Sequence, residues 1–88
     1  MEYPHAVTAM NALLEQFMSS PERLIYMANQ IGQFFRSQGH DKAVPGIADH
    51  IKKFWDPRML KQIFAHLDTG GAGLDPNVRD ALETLKQV

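Results

Sequence analysis

Residues 44–57, which read VPGIADHIKKFWDP, decide the fold of this chain. Their apolar side chains recur at intervals of three and four residues, the spacing of one face of an α-helix, and charged side chains fill the opposite face. The stretch therefore predicts an amphipathic helix that begins between Asp41 and Pro45, because Pro is tolerated near a helix start. Its apolar stripe is Val44, Ile47, Ala48, Ile51, Phe54 and Trp55.

The same stretch ends in a residue pair that begins another helix. Asp56 is suited to capping free backbone N–H groups, and Pro57 fits the first helical position because its missing N–H would be unpaired there. Since almost no linker remains between the two helices, the junction is predicted to form a rigid, compact corner. Trp55 and Phe54 are expected in the core or at an interface, because Trp is common in both.

Two further pairs, Ser20-Pro21 and Asp75-Pro76, repeat this pattern and predict two more helix starts. These helices should run to about Ser37 and about Lys86, and the helix after Pro57 should stop at Gly70. An apolar stripe ahead of Ser20 predicts a fifth helix at the N-terminus. The four stripes, in chain order, are Val7, Met10, Leu13, Leu14, Phe17 and Met18; Leu24, Met27, Ala28, Ile31, Phe34 and Phe35; Met59 or Leu60, Ile63, Phe64 and Leu67; and Val78, Ala81, Leu82 and Leu85.

The chain shows no convincing alternation at period two, no Asn-Gly or Asp-Gly hairpin signal and no long internal repeat. Its 88 residues suffice for one modest core and not for two. We therefore predict an all-α fold, a small single-domain bundle of four to five short helices over residues 1–88.

Charge and cysteine usage exclude several functions. Nine Lys and Arg against ten Asp and Glu give a net charge of −1, so no global field attracts nucleic acid or an acidic membrane. Without Cys the chain has no disulfide, no thiolate nucleophile and no thiolate ligand for iron-sulfur clusters or zinc. The N-terminal residues do not resemble a secretory signal, and no stretch has the length of a membrane span, so we expect a cytoplasmic protein.

Catalytic and metal-binding residues are not expected in this chain. The four histidines, His5, His40, His50 and His66, are never three or four residues apart, and no HExxH pattern occurs. Serines and threonines lie in no nucleophile context, and a small bundle has difficulty enclosing an active-site cavity. We expect surface or partly buried histidines and no autonomous enzyme.

The glycine-rich segment 70–73 is the loop with the most backbone freedom. A phosphate-binding role is disfavoured because no strand precedes it, no Lys follows it as in a P-loop, and Asp75 would place negative charge at the binding position. A tight connection between helices is the preferred interpretation, with Leu74 holding the loop on the core.

Two other functions are also compatible with the amino-acid sequence. Lys52, Lys53, Arg58 and Lys61 concentrate positive charge near the corner, which is compatible with a small nucleic-acid-binding regulator. Asp49 and Asp56 interrupt that patch, so a solvated outer face is favoured. The five Met and the aromatic side chains would also suit a stand-alone homodimer.

Several short sequence motifs occur together in this chain. They are MANQI at 27–31 followed by Phe34-Phe35, His50-Ile51, FWDPRM at 54–59, and GGAGL at 70–74 followed by Pro76, Val78 and Arg79. The combination resembles the delta subunit of the NAD-dependent formate dehydrogenases, which are bacterial cytoplasmic enzymes. The resemblance runs from about Arg23 to Leu85, so residues 20–88 form the delta-subunit-like region and residues 1–19 lie outside the pattern.

The resemblance implies a noncatalytic accessory subunit that supports assembly, stability or cofactor insertion of the catalytic subunit. Molybdopterin, iron-sulfur clusters, FMN and the use of NAD are then expected in larger partner subunits, and no cofactor is expected in this chain. The candidate residues for contact with those partners are Asn29, Gln30, His50, Trp55, Asp56, Pro57, Arg58, Gly70, Gly71, Gly73 and Arg79.

Overall fold

The computed structural model describes residues 20–87. The helices are α1 (Ser20–Phe35), α2 (His40–Phe54), α3 (Pro57–Asp68) and α4 (Pro76–Lys86), and a 3₁₀ turn covers Arg36–Gln38. No strand occurs between residues 20 and 87, which confirms the all-α prediction. The helix predicted over residues 7–18 lies outside the described residues.

The connection from α1 to α2 comprises residues 36–39, because α1 ends at Phe35, about two residues before the predicted end near Ser37. The 3₁₀ turn carries the chain from Phe35 to Gly39, whose φ of 85° places it in the left-handed region that favours glycine. The carbonyl of Gly39 then accepts hydrogen bonds from the N–H groups of Lys42 and Ala43, at 3.2 and 2.8 Å. Because these bonds already define a helical turn, α2 begins at His40, one residue before the predicted range of Asp41 to Pro45. Pro45 therefore lies inside the helix.

The three capping pairs differ in the structure. Asp56 caps α3 as predicted, since its Oδ1 accepts a hydrogen bond from the N–H of Met59 at 2.9 Å. Asp75 stands at the cap position of α4, but its carboxylate makes no capping hydrogen bond, so that part of the prediction is wrong. Helix α1 begins at Ser20 itself, not after it.

The core lies where α2 crosses α1 and α4, with α3 closing one side. Gly32 allows α1 to approach α4 closely, because a Cβ at that position would lie 2.5 Å from Cγ2 of Val78. Phe34, predicted on the apolar stripe of α1, is instead 76% exposed, and Phe54, expected in the core or at an interface, is 70% exposed. The side chains with no exposed surface are Ala28, Ala43, Ile47, Ile51, Ile63, Val78, Ala81 and Leu82.

Candidate functional site

The corner between α2 and α3 consists of two residues, Trp55 and Asp56. The N–H of Trp55 still bonds to the carbonyl of Ile51 at 2.9 Å, but its backbone is extended, with φ −93° and ψ 137°. Asp56 caps the next helix, and Pro57 occupies its first turn. The candidate residues Asp56 and Pro57 therefore have a local structural role in making the corner.

The two aromatic side chains at the corner point in different directions. Trp55 is only 7% exposed and belongs to the core, while Phe54 is 70% exposed. At this helix end the chain buries the larger ring and leaves the smaller one outside. Phe54 lies against His50 one turn earlier, with 4.7 Å between ring centroids.

A shallow apolar groove runs between α1, α2 and the start of α3, with a volume of about 450 Å³. We call it the corner groove. It brings together three of the predicted partner-contact residues, which lie far apart in sequence. Its lining residues are Tyr26, Met27, Gln30, Ile31, His50, Phe54, Trp55 and Met59.

Sequence reasoning missed part of this groove. Tyr26, which is 51% exposed, was not singled out, and Met27 and Met59 were assigned to buried stripes although both are only partly buried. A usable signal was present in the sequence, since Tyr26 and Gln30 are four residues apart and therefore neighbours on the surface of α1.

Positive charge beside the corner is less concentrated than the sequence indicates. Lys53 forms an ion pair with Asp49 on the same helix, with 3.1 Å between Nζ and Oδ2. Arg58 is exposed and lies with Arg23 and Asp56 at a second shallow cleft next to the groove. Since carboxylates occupy both places, this surface offers little support for binding phosphates along a stripe.

The second group of candidate residues lies in the connection between α3 and α4, residues 69–75, which we call the glycine loop. Gly70, Gly71 and Gly73 have φ values of 117°, 64° and 86°, all in the region that favours glycine. The N–H groups of Gly70 and Gly71 bond back to the last turn of α3, and Leu74 is 6% exposed. The structure confirms that Leu74 anchors the loop on the core.

Asn29 of α1 holds the glycine loop by both ends of its amide. Its Nδ2 donates to the carbonyl of Gly73 at 2.9 Å, and its Oδ1 accepts from the N–H of Asp75 at 3.0 Å. These two bonds flank Leu74, so the amide fixes the loop on α1 on either side of the buried leucine. The neighbouring Gln30 is exposed and lines the corner groove instead.

Two more side chains bond to carbonyl groups of the same loop. The Nε2–H of His66 donates to Ala72 at 2.7 Å, and a guanidinium N–H of Arg79 donates to Gly71 at 3.3 Å. Asn29, Arg79 and the loop glycines thus have internal partners or a backbone role, which accounts for their presence without any ligand.

His40 joins the start of α2 to α4. Its Nε2 lies 2.8 Å from Oδ2 of Asp80, and this hydrogen bond, with the negative charges of Asp80 and Asp41, raises the pKa of His40 above its ordinary value. Within residues 20–87, no three His, Asp or Glu side chains are grouped to hold a metal ion.

Comparison with known proteins adds the following findings. Residues 23–82 match the family model described as NADH-dependent formate dehydrogenase delta subunit, FdsD. Neither the curated proteins nor the solved structures gave a match. None of the helices of residues 20–87 is long and apolar enough to span a membrane.

Proposed function

Because the chain belongs to the delta subunit family of NADH-dependent formate dehydrogenase, we propose that it is a noncatalytic accessory subunit that docks on the catalytic subunit through the corner groove. Its role there is to support the assembly or stability of the complex. Formate oxidation and the transfer of electrons to NAD take place in partner subunits that carry molybdopterin, iron-sulfur clusters and FMN. This chain has no Cys with which to ligate a cluster.

The observation that carries this proposal is the exposure of two large aromatic side chains around a buried Trp. Phe54 and Tyr26 are 70% and 51% exposed, and with Trp55 they border a groove of mainly apolar side chains. Aromatic side chains beside a pocket are typical of residues that dominate binding energy in protein interfaces. Aromatic surface that stays exposed beside an apolar groove is unfavourable in water, and this supports a partner that covers it.

Gln30 and His50 supply the polar part of this surface. Both line the corner groove, and neither is buried. Interfaces of this class combine an apolar centre with a rim of polar groups that give specificity. Arg58, exposed beside the groove, extends that rim toward α3.

The glycine loop has a different place in the proposal. Its hydrogen bonds to Asn29, His66 and Arg79 fix α1, α3 and α4 relative to one another. Since α1 contributes one wall of the corner groove, this hydrogen-bond network helps to hold that wall in place. Asn29, Arg79 and the loop glycines are then positioning residues for the groove.

The test compares two exposed phenylalanines. Phe54→Ala removes a ring from the groove, while Phe34→Ala removes a ring of the same size, 76% exposed, that lies outside the groove. Tagged chains are used to capture the formate dehydrogenase complex from the native cells, and dissociation constants are then measured with the purified catalytic subunit. Phe54→Ala should weaken binding by about 30-fold, which corresponds to about 2 kcal/mol for a truncated interface anchor.

The control Phe34→Ala should bind like the unaltered chain. Equal binding by both variants would contradict docking through the groove. Failure of the unaltered chain to bind any formate dehydrogenase subunit would contradict the accessory role itself.

A further inference from the structure

We infer that a second apolar cleft, on the other side of α2 from the corner groove, binds one large apolar side chain of a partner protein segment whose neighbouring residues are acidic. We call it the side cleft. It lies between α2, α3 and α4 and is lined by Lys52, Leu60, Phe64 and Leu85. The inference does not depend on docking through the corner groove, and its test requires no formate dehydrogenase subunit.

The side cleft is separate from the corner groove. The two share no lining residue. Lys52 is two residues from His50 and from Phe54, which line the corner groove, and a step of two residues turns a helix by about 200°. Lys52 therefore lies on the opposite side of α2, and a ligand in the side cleft leaves the corner groove open.

The size of the side cleft indicates what kind of ligand it holds. Its volume is about 220 Å³, below the roughly 300 Å³ at which small-molecule sites begin. Leu60, Phe64 and Leu85 pack against the core but are only partly buried, so they present apolar surface to the cleft. A small apolar depression of this kind suits a single anchoring side chain of a partner, such as Phe or Leu.

The charge at the rim indicates what surrounds that anchor. Lys52 lines the cleft, and Lys61 lies three residues before Phe64 and is therefore its neighbour on the surface of α3. Both lysines are exposed, and within residues 20–87 neither forms an ion pair with a carboxylate. The rim of the side cleft is therefore positively charged.

The carboxylates nearest to these lysines in the sequence are engaged elsewhere. Asp49 pairs with Lys53, and Asp68 pairs with Lys86. Asp56 caps α3. The positive charge at the rim is thus left for the carboxylates of a partner, since interfaces juxtapose opposite charges. Two lysines beside an apolar cleft are far from the extended basic stripe that a nucleic-acid backbone requires, so an acidic protein segment is the favoured occupant.

The test uses the synthetic peptide acetyl-Glu-Asp-Phe-Asp-Glu-amide, titrated into the ¹⁵N-labelled full-length chain at low salt. Two matched peptides replace the Phe by Ala, or the four acidic residues by Gln and Asn. The acidic Phe peptide should shift the backbone amide resonances of Leu60, Phe64 and Leu85. The Ala peptide should bind about ten-fold more weakly because it lacks the anchor, and the uncharged peptide about five-fold more weakly because it lacks the carboxylates.

Three variants locate the peptide on the chain. Lys52→Glu reverses the charge at the rim and should weaken binding of the acidic Phe peptide by about five-fold. Lys42→Glu makes the same change on the same helix, outside the side cleft and the corner groove, and should leave binding unchanged. Phe54→Ala alters only the corner groove and should also leave it unchanged. All three side chains are exposed, and circular dichroism verifies that each variant keeps its helices.

Equal weakening by Lys52→Glu and Lys42→Glu would overturn the inference, as would equal binding of the charged and uncharged peptides. Loss of binding in Phe54→Ala would place the peptide in the corner groove and overturn it as well. So would the absence of any shift at millimolar peptide. A short single-stranded oligonucleotide that shifts these resonances when the peptide does not would assign the cleft to nucleic acid, and shifts on dilution of the chain alone would assign it to a second copy. Either result would overturn the inference.

These outcomes are independent of the proposed function. The peptide titration contains no formate dehydrogenase subunit, and capture of the catalytic subunit is compared in Phe54→Ala and Phe34→Ala, neither of which alters the side cleft. The side cleft can therefore fail while docking through the corner groove stands, and the reverse is equally measurable.

Discussion

The glycine loop and the corner groove contain residues that are equally unusual in the sequence, yet the fold uses them in opposite ways. At the loop, the amide of Asn29 and the guanidinium of Arg79 bond to backbone groups of the same chain. At the groove, Tyr26 and Phe54 point outward, although their apolar surface would be more favourable inside. The polar side chains of the loop bond within the chain, whereas the two rings at the groove remain exposed.

This difference shows how an uncommon residue is assigned to structure or to binding. A polar side chain whose nitrogen and oxygen both bond within the chain needs no ligand to explain it, and Asn29 is the clearest case. An aromatic side chain that remains exposed beside an apolar groove is not explained by packing, and Phe54 is the clearest case. Only the second kind of residue supports a docking proposal.

The largest expected change in stability comes from substitution of Ile51, which has no exposed surface and lies one turn before the corner. Ile51→Ala should lower the free energy of unfolding by about 2 to 5 kcal/mol, because it leaves a cavity in the core. Phe54→Ala, three residues later on the exposed side, should change it by less than about 0.5 kcal/mol. Urea denaturation followed by circular dichroism measures both. Equal losses for the two variants would mean that Phe54 packs inward and that the groove lacks its exposed ring.

A smaller loss of stability should distinguish Asn29 from its neighbour Gln30 on α1. Asn29→Ala removes two hydrogen bonds to the glycine loop and should cost about 1 to 3 kcal/mol of stability. Gln30→Ala alters the groove and should change stability by less than about 0.5 kcal/mol. Thermal unfolding of both variants measures the difference. Destabilisation by Gln30→Ala that matches the effect of Asn29→Ala would remove the contrast between an internal loop and an open groove.

The sequence predicted the positions of the helices better than it predicted which of their side chains are buried. Spacing alone identified the inward faces of the described helices, and the Asp56-Pro57 pair located the corner, because capping is a local interaction. Periodicity could not decide between adjacent aromatic residues, so Phe34 was placed on the wrong side and Phe54 was left between the core and an interface. A stripe about 100° wide accommodates both members of such a doublet, and only packing determines which one faces inward.

The candidate site was predictable only in part, for a related reason. Asn29 contacts Gly73, 44 residues away, and Gln30 meets His50 and Trp55 only through the crossing of α1 and α2. No local pattern encodes such distances. The family resemblance named both groups of residues together, whereas the structure separates them into a loop that is satisfied internally and a groove that is not.

The smallest expected effect is a pH dependence of stability at the contact between His40 of α2 and Asp80 of α4. The hydrogen bond to Asp80 raises the pKa of His40 above 6.5, so the folded state holds this proton more tightly than the unfolded state. The stabilisation is therefore fully present below about pH 6.5 and is lost as pH rises through the raised pKa. Thermal unfolding between pH 5.5 and 8.5 should show this slight decline in the unaltered chain and not in His40→Gln. Asp80→Asn, which removes the main cause of the shift, should remove most of it. Because His40 joins α2 to α4 and does not line the corner groove, His40→Gln should leave capture of the catalytic subunit unchanged at each pH. If His40→Gln changes that capture, the contact between α2 and α4 is coupled to the groove, and the division between internal contacts and an external groove is wrong.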